Sequence, residues 1–183
     1  MEVCSIMFIN LHVHDKYSWD SISETEKIVE FVKANNQNAV AITNHGSMNG
    51  VIQFYKSCKK HDIKCIIGVE LYICKPGFEA SNKSSENKSL NHLVVLAKNK
   101  TGYNNLLKLT KIGAQNFYYK SRIDESILFA HSEGLVVING HHTTSLHDNL
   151  FFNYNALTEC KTIDCCRQYL YPDYEERFLG IAD

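Results

Sequence analysis

The chain has little proline, no long apolar run and no excess of positive charge, and each lack narrows what it can be. Only 2 of its 183 residues are proline and no segment is of low complexity, so it does not read as a linker or a disordered tail. No apolar run approaches the roughly 18 residues that a membrane-crossing helix requires; no membrane association is expected. Lysine and arginine number 19 against 20 aspartates and glutamates, a formal charge of -1. No overall basic field draws nucleic acid in, so any such contact must be local or supplied by a partner. Cysteines are present, 7 of them, but odd in number and irregular in spacing. Cys160, Cys165 and Cys166 do not make the CxxC pair of a structural zinc site. The N-terminal MEVCSIMFI has neither a charged leader region nor a small-residue cleavage site, so reduced thiols and a cytoplasmic location are expected.

What is there is a soluble composition, 44% hydrophobic and 21% charged, of a length suited to one domain over residues 1–183. The stretch FINLHVHDKYSWD, from Phe8 to Asp20, is the most informative. If Phe8 to Val13 is a strand, His12 and His14 project from the same face, because residues two apart in a strand share one. Two neutral imidazoles so placed are half of a metal site, and Asp20 can return to them on the following loop. The same residues also fit a strand end that carries two histidines and no ligand.

Ser23 and Glu26 have capping-box spacing ahead of an apolar stripe (Ile28, Val29, Phe31, Val32), which predicts a helix ending near Asn35-Asn36. Ala39 to Thr43 is a short buried strand closed by Asn44-His45-Gly46. A second helix runs from about Met48 to Lys60. Cys65 to Val69 is a strand ending at Glu70, with extended chain through Ile73. Pro76 to Lys88 is polar and turn-rich, the expected mobile loop. Leu93 to Ala97 and Leu135 to Ile138 are strands, with an amphipathic helix from Tyr103 to Ala114 between them. The alternating order argues for an α/β fold with a parallel sheet, open or closed into a barrel. Reactive side chains gather at the C-terminal ends of such strands. Here those ends carry His12 and His14, His45, Glu70 and His141, a pattern that points to a polynuclear metal site.

Leu11-His12-Val13-His14 with Tyr17-Ser18, Thr43-Asn44-His45-Gly46, and Ile66-Ile67-Gly68-Val69-Glu70 resemble the opening motifs of the PHP (polymerase and histidinol phosphatase) domain. The form they are most similar to is the N-terminal PHP domain of bacterial DNA polymerase III alpha subunits. FYKSCKKHDIKCIIGVELYI (54–73), HLVVLAKNKTGYNNLLKL (92–109), FYYKSRID (117–124) and HSEGLVVING (131–140) carry the same likeness. It spans residues 8 to 142 and fades from 143 to 183. The resemblance implies a distorted (β/α)7 barrel holding up to three divalent metals, usually zinc, manganese or iron. It also implies phosphoesterase, 3′–5′ exonuclease or pyrophosphatase activity, or a metal-poor scaffold role within a polymerase.

By the resemblance, His12 and His14 would ligate a first metal and Glu70 would bridge to a second. His92 and His141 would complete the second, and Asp20 and His45 belong to a third. His141 stands where alpha subunits commonly have cysteine and phosphoesterase relatives histidine, which favours a hydrolytic site. His92 precedes its strand, the end away from the expected mouth, so spacing alone does not recruit it. His61 and His131, at helix ends, read as solvated, His142 as a bystander, and Trp19 and Phe54 as core or rim aromatics.

Two departures bear on activity. Asn44 replaces the family's usual aspartate, so it adds no negative charge beside the metals and is expected to weaken their tuning. The family's final motif, Asp-x-His, does not occur in this sequence. The barrel is therefore expected to be incomplete at its C-terminal end, finished by further polypeptide or a second chain, or degenerate. In the completed site Glu70 would be the bridging carboxylate, with Arg122 and Lys120 as candidate phosphate clamps. The expected function is a metal-dependent phosphoesterase, a 3′–5′ exonuclease linked to a replicase. Its partners would be single-stranded DNA or a 3′ end and the remaining polymerase domains. The alternatives are a silent scaffold domain and a small-molecule phosphatase of the histidinol-phosphate type. No polymerase activity is expected.

Overall fold

The computed structural model describes residues 8–139. Within them four strands form one sheet in the order β1-β2-β3-β4: β1 (Ala39–Ile42), β2 (Lys64–Cys74), β3 (Leu90–Ala97) and β4 (Leu135–Asn139). Four helices accompany them: α1 (Thr25–Ala34), α2 (Val51–His61), α3 (Lys100–Gln115) and α4 (Glu125–Ala130). The α/β class holds. Closure into a seven-stranded barrel and His141 concern chain that lies outside the described residues.

The sheet is mixed rather than parallel, and the difference rests on one strand. β1 and β2 are parallel across the α2 crossover, from Ala39 opposite Lys64 to Ile42 opposite Ile67. β3 then runs antiparallel to β2, from Gly68 opposite Leu96 to Cys74 opposite Leu90. β4 is antiparallel to β3 and so points the same way as β1 and β2. A parallel return needs a crossover, usually a helix. Between β2 and β3 the only helical element is a single 3-10 turn, Glu86–Lys88, and the chain folds straight back.

Phe8 to Val13 is extended but is not a regular strand. It makes one parallel bridge to β1, Asn10 with Val40, and two backbone bonds, Ala41 N to Asn10 O (2.9 Å) and Thr43 N to Val13 O (2.8 Å). Side chains take up other backbone groups. Asn10 Oδ1 accepts from His12 N (3.1 Å) and Thr43 Oγ1 accepts from Val13 N (3.0 Å).

Strand alternation sorts the core. Val69, Leu71 and Ile73 of β2 and Leu93, Val95 and Ala97 of β3 pack with Leu106 and Leu109 of α3 and Leu128 of α4. The opposite face buries Val94 and Leu96 with Leu11, Ala39, Ala41, Ile66 and Ile138. A third cluster places Phe54 and Cys58 of α2 and Val29 and Val32 of α1 over Val40 and Ile42. Phe54 is a core residue, as expected. Gly102 in the first turn of α3 lies against Gly134, whose carbonyl oxygen occupies the space a Cβ would need. The expected mobile loop is tied down and braced within itself: Ala80 N donates to Asp124 Oδ2 (2.9 Å), and the Asn87 amide donates to the Glu79 and Asn82 carbonyls of the same loop.

The capping box is not formed. Glu24 occupies the cap position of α1 without a side-chain bond, and Glu26 turns to α2 instead. It accepts from Ser57 Oγ (2.6 Å), Lys60 Nζ (2.7 Å) and His61 Nε2 (2.8 Å), so His61 is a bonded residue rather than a solvated one. The Lys60 ammonium, then Ser57 and His61, hold the Glu26 carboxyl down from 4.5 to about 2. A carboxyl depressed by folding adds stability that is complete above its unfolded value and lost as the pH falls through its folded one. Glu26→Gln is therefore expected to be less stable than the parent at pH 7. The two denaturant midpoints should converge between pH 4.5 and about pH 2. A gap that stays constant across that range would remove this role from Glu26.

Candidate metal centre

Glu70 is the hub. It sits in β2 on the face opposite α3 and α4, between the core residues Val69 and Leu71, and is only 3% exposed. His12 Nε2 lies 2.6 Å and His14 Nε2 2.8 Å from Glu70 Oε2. His92 Nδ1 lies 2.5 Å from the other oxygen, Oε1. The reversal of β3 is what delivers His92. Its early residues lie against the late residues of β2, with Tyr72 opposite His92 and Glu70 opposite Val94, so the two side chains meet diagonally on one face.

His45 enters from the turn after β1. Gly46 N bonds to Glu70 O (2.8 Å) and Glu70 N to Asn44 O (3.1 Å), which pins the turn against β2. Gly46 has φ of +60°, and a Cβ there would collide with Ser121 Oγ. His45 Nε2 lies 3.1 Å from Asp20 Oδ2 and 3.7 Å from Glu70 Oε2. Asp20 also accepts from His14 Nδ1 (3.0 Å) and from Ser18 Oγ (2.6 Å), and Ser18 Oγ in turn accepts from His45 N. The loop carboxylate thus returns to the histidines, as its spacing suggested.

The donors form three overlapping groups: His12, His14 and Glu70; His14, Asp20 and His45; and His45, Glu70 and His92. The structure brings His12, His14, Asp20, His45, Glu70 and His92 together, with His14 shared between the first two groups and His45 between the last two, while His141 lies outside the described residues. Several features fit divalent cations. His12 Nε2 and His14 Nε2 stand 3.1 Å apart against one carboxylate oxygen. Ligands held ~2.0–2.1 Å from a tetrahedral zinc are about 3.3 Å from each other, so the spacing is already close to that of a first coordination sphere. His45 Nδ1 is buried with no hydrogen-bond partner, a costly state for a polar atom. The donor set of imidazoles and carboxylates suits zinc, manganese or iron.

Ionisation follows from these contacts. Burial on its own would raise the Glu70 carboxyl, but hydrogen bonds from His12, His14 and His92 hold it far below the usual carboxylate range. Burial tends to lower His14, and its bonds to Glu70 and Asp20 raise it overall. His45 goes the other way: burial lowers it, and Glu70 only partly compensates. Asp20 is depressed because the Ser18 and His14 bonds outweigh burial.

Tyr72, which motif reading did not assign to the site, completes its rim with Trp19, read as a core or rim aromatic, and Lys120, read as a candidate phosphate clamp. Tyr72, two residues after Glu70 and so on the same strand face, stacks on His45 with centroids 5.2 Å apart. Trp19 lies 5.5 Å from His45 and donates Nε1–H to Tyr72 Oη (2.9 Å). Lys120 Nζ stands 4.4 Å from the Tyr72 ring centroid. Arg122 is not available as the phosphate clamp expected of it. It is 1% exposed, and its guanidinium donates to the carbonyl oxygens of Asn87 (2.5 Å) and Tyr118, tying the 76–88 loop to the chain after α3.

Asn44 does not face the cluster. Its Oδ1 accepts from Asp15 N (3.0 Å), and its Nδ2 donates to Asp15 Oδ1 (2.7 Å) and to Asn49 O (3.1 Å). Asp15 is itself buried and accepts from Thr25 Oγ1 (2.7 Å) and Tyr17 N (3.0 Å). The amide is required where a carboxylate already sits. Asn44→Asp is expected to set two carboxylates against each other and to cost roughly 1–3 kcal/mol in denaturant unfolding. Adding Asp15→Asn to that variant should recover at least half of the loss. No recovery would mean that the pair is not coupled in this way.

A family model described as PHP domain matches residues 10–179. The DNA polymerase III subunit alpha of Borreliella burgdorferi is 44% identical over 131 residues, covering 70% of this chain and 11% of that protein. The subunit of the same name from Helicobacter pylori (strain 26695) is 35% identical over 176 residues, 91% of this chain and 14% of the relative. The chain thus spans only a small fraction of the length of these relatives. A solved amidohydrolase from Chromobacterium violaceum aligns over 58% of this chain and 37% of its own, with a TM-score of 0.40 and 18% identity. The family match runs through the segments that carry His12, His14, Asp20, His45, Glu70 and His92, and this chain belongs to the PHP domain family.

Proposed function

We propose that this chain is a metal-dependent phosphoesterase module that acts on the 3′ end of single-stranded DNA, as the exonuclease part of a DNA polymerase III alpha-type replicase. The observation that carries the reading is the Glu70 carboxylate shared by His12, His14 and His92, with Asp20 and His45 adjoining. Such a set is suited to more than one divalent cation. Bound there, the cations would supply Lewis acidity toward a phosphate and a nucleophile from water near neutral pH. The chain's own residues do the rest. Glu70 joins two donor groups, Asp20 orients His14 and His45, and the Lys120 ammonium stands ready for a phosphate oxygen. Arg122 holds the framework. Kinship with polymerase subunits supports the replicase setting, with the remaining polymerase domains as partners.

The test uses the purified full chain. Metal content is measured, and shortening of a 5′-labelled single strand is followed with chelator and after return of zinc, manganese or iron(II). Near-stoichiometric metal and chelator-sensitive shortening from the 3′ end are expected. Absence of both would leave the scaffold role, and turnover of phosphomonoesters alone would leave the small-molecule phosphatase. In the His12→Ala/His14→Ala variant, hydrolysis should fall at least about 10²-fold with bound metal lost and far-ultraviolet circular dichroism retained. Undiminished hydrolysis in that variant would contradict the roles given to these histidines.

A further inference from the structure

Trp19 is the most exposed aromatic ring among the described residues, at 74%, yet it is not free to swing. Its indole N–H is bonded to Tyr72 Oη at 2.9 Å, and its ring lies 5.5 Å from His45, tilted by 32°. Tyr72 in turn stacks on His45 with an interplanar angle of 11°. Lys120 Nζ stands above both aromatic rings, 4.4 Å from the Tyr72 centroid and 5.7 Å from that of Trp19. An apolar ring held open to water is unfavourable by itself. Here its polar edge is anchored while most of the ring is left open to solvent, beside the donor cluster and the Lys120 ammonium.

We infer that Trp19 is a stacking platform for the terminal base of a single-stranded nucleic acid, and that Lys120 pairs with the phosphate beside that base. The inference rests on the phosphoesterase reading of the adjoining cluster and names the side chains that hold the nucleotide end beside it. Stacking on a π-face is indifferent to base identity, and a lysine contributes charge without base readout. The site therefore recognises a nucleotide end rather than a sequence, and it gives a small phosphomonoester without a base little to hold. The formal charge of -1 is no obstacle, because the cation needed is local.

Trp19 is the only tryptophan in the chain, so its emission reports this position alone. The metal-free full chain is titrated with an oligothymidylate, an oligouridylate, an abasic oligomer of equal length, and inorganic phosphate. Saturable quenching is expected from both oligonucleotides and none from the abasic oligomer or phosphate. Binding of a dye-labelled oligothymidylate, read by anisotropy, should weaken tenfold or more in Trp19→Ala and little in Trp19→Phe, which keeps a ring. Lys120→Ala should keep the quenching amplitude, weaken binding several-fold and reduce the salt dependence by about one phosphate contact. Unmoved emission, quenching by the abasic oligomer, or unchanged binding by Trp19→Ala would overturn the platform. Its failure is separable from that of the parent reading: hydrolysis with no quenching sinks only the platform, and quenching with no hydrolysis under any metal sinks only the phosphoesterase.

Discussion

A carboxylate that has left water survives as an anion only where donors or positive charge replace the hydration it has lost. Glu70 meets that condition with two imidazoles on one oxygen and a third on the other. The three come from distant parts of the chain, 58 and 56 residues before Glu70 for His12 and His14 and 22 after it for His92. One side chain therefore sets the spacing between the N-terminal segment and strand β3. The consequence for chemistry is direct. Metal ligands must offer lone pairs, and the hub is held ionised while burial favours the neutral form of His45. The unpartnered Nδ1 of His45 and the close approach of His12 to His14 are the costs of keeping so many donors together.

How much of this was legible in the residues differs from one ligand to the next. His12 and His14 were readable from period-two geometry, and His45 and Glu70 from their places at strand ends. Asp20 needed only a loop long enough to return. His92 was not readable from spacing, because a parallel sheet would put it at the far end, and only the family resemblance recruited it. The physical signal existed nonetheless. The 75–89 segment is polar and has no helical apolar stripe, so it could not form the crossover that a parallel pair needs, and a direct antiparallel return was the remaining option. After β3 the two helices α3 and α4 carry the chain up and back, which restores the direction of β1 and β2 in β4.

Lys120 and Arg122 show a different limit. Two cations two residues apart look equivalent in a sequence, and the guanidinium looks the better phosphate clamp. Burial separates them. Arg122 lies under the loop with Nη1 and Nη2 donating to backbone carbonyls, whereas Lys120 reaches the aromatic rim of the donor cluster. Asp15 and Asn44 make the same point for charge. Read alone, Asn44 is a carboxylate lost from the site. In the structure its amide faces the buried side chain of Asp15, the residue after His14, rather than the donor cluster.

β2 explains why framework and chemistry can change independently in this chain. Its alternate residues divide the work: Val69, Leu71 and Ile73 point into the helix-covered core, and Glu70 and Tyr72 point to the donor cluster. A volume change at the first set acts through packing and so through stability. A change at Glu70 removes the common acceptor of three histidines, and one at Tyr72 removes the bond that holds Trp19 and the ring under Lys120. The site is rigid at its base for the same reason. Its central donor grows from a strand hydrogen-bonded on both sides, to the turn that carries His45 and to the strand that carries His92. The rim, built on the loop of Trp19 and the segment of Lys120, is where this chain can alter what it accepts without altering how the donors are held.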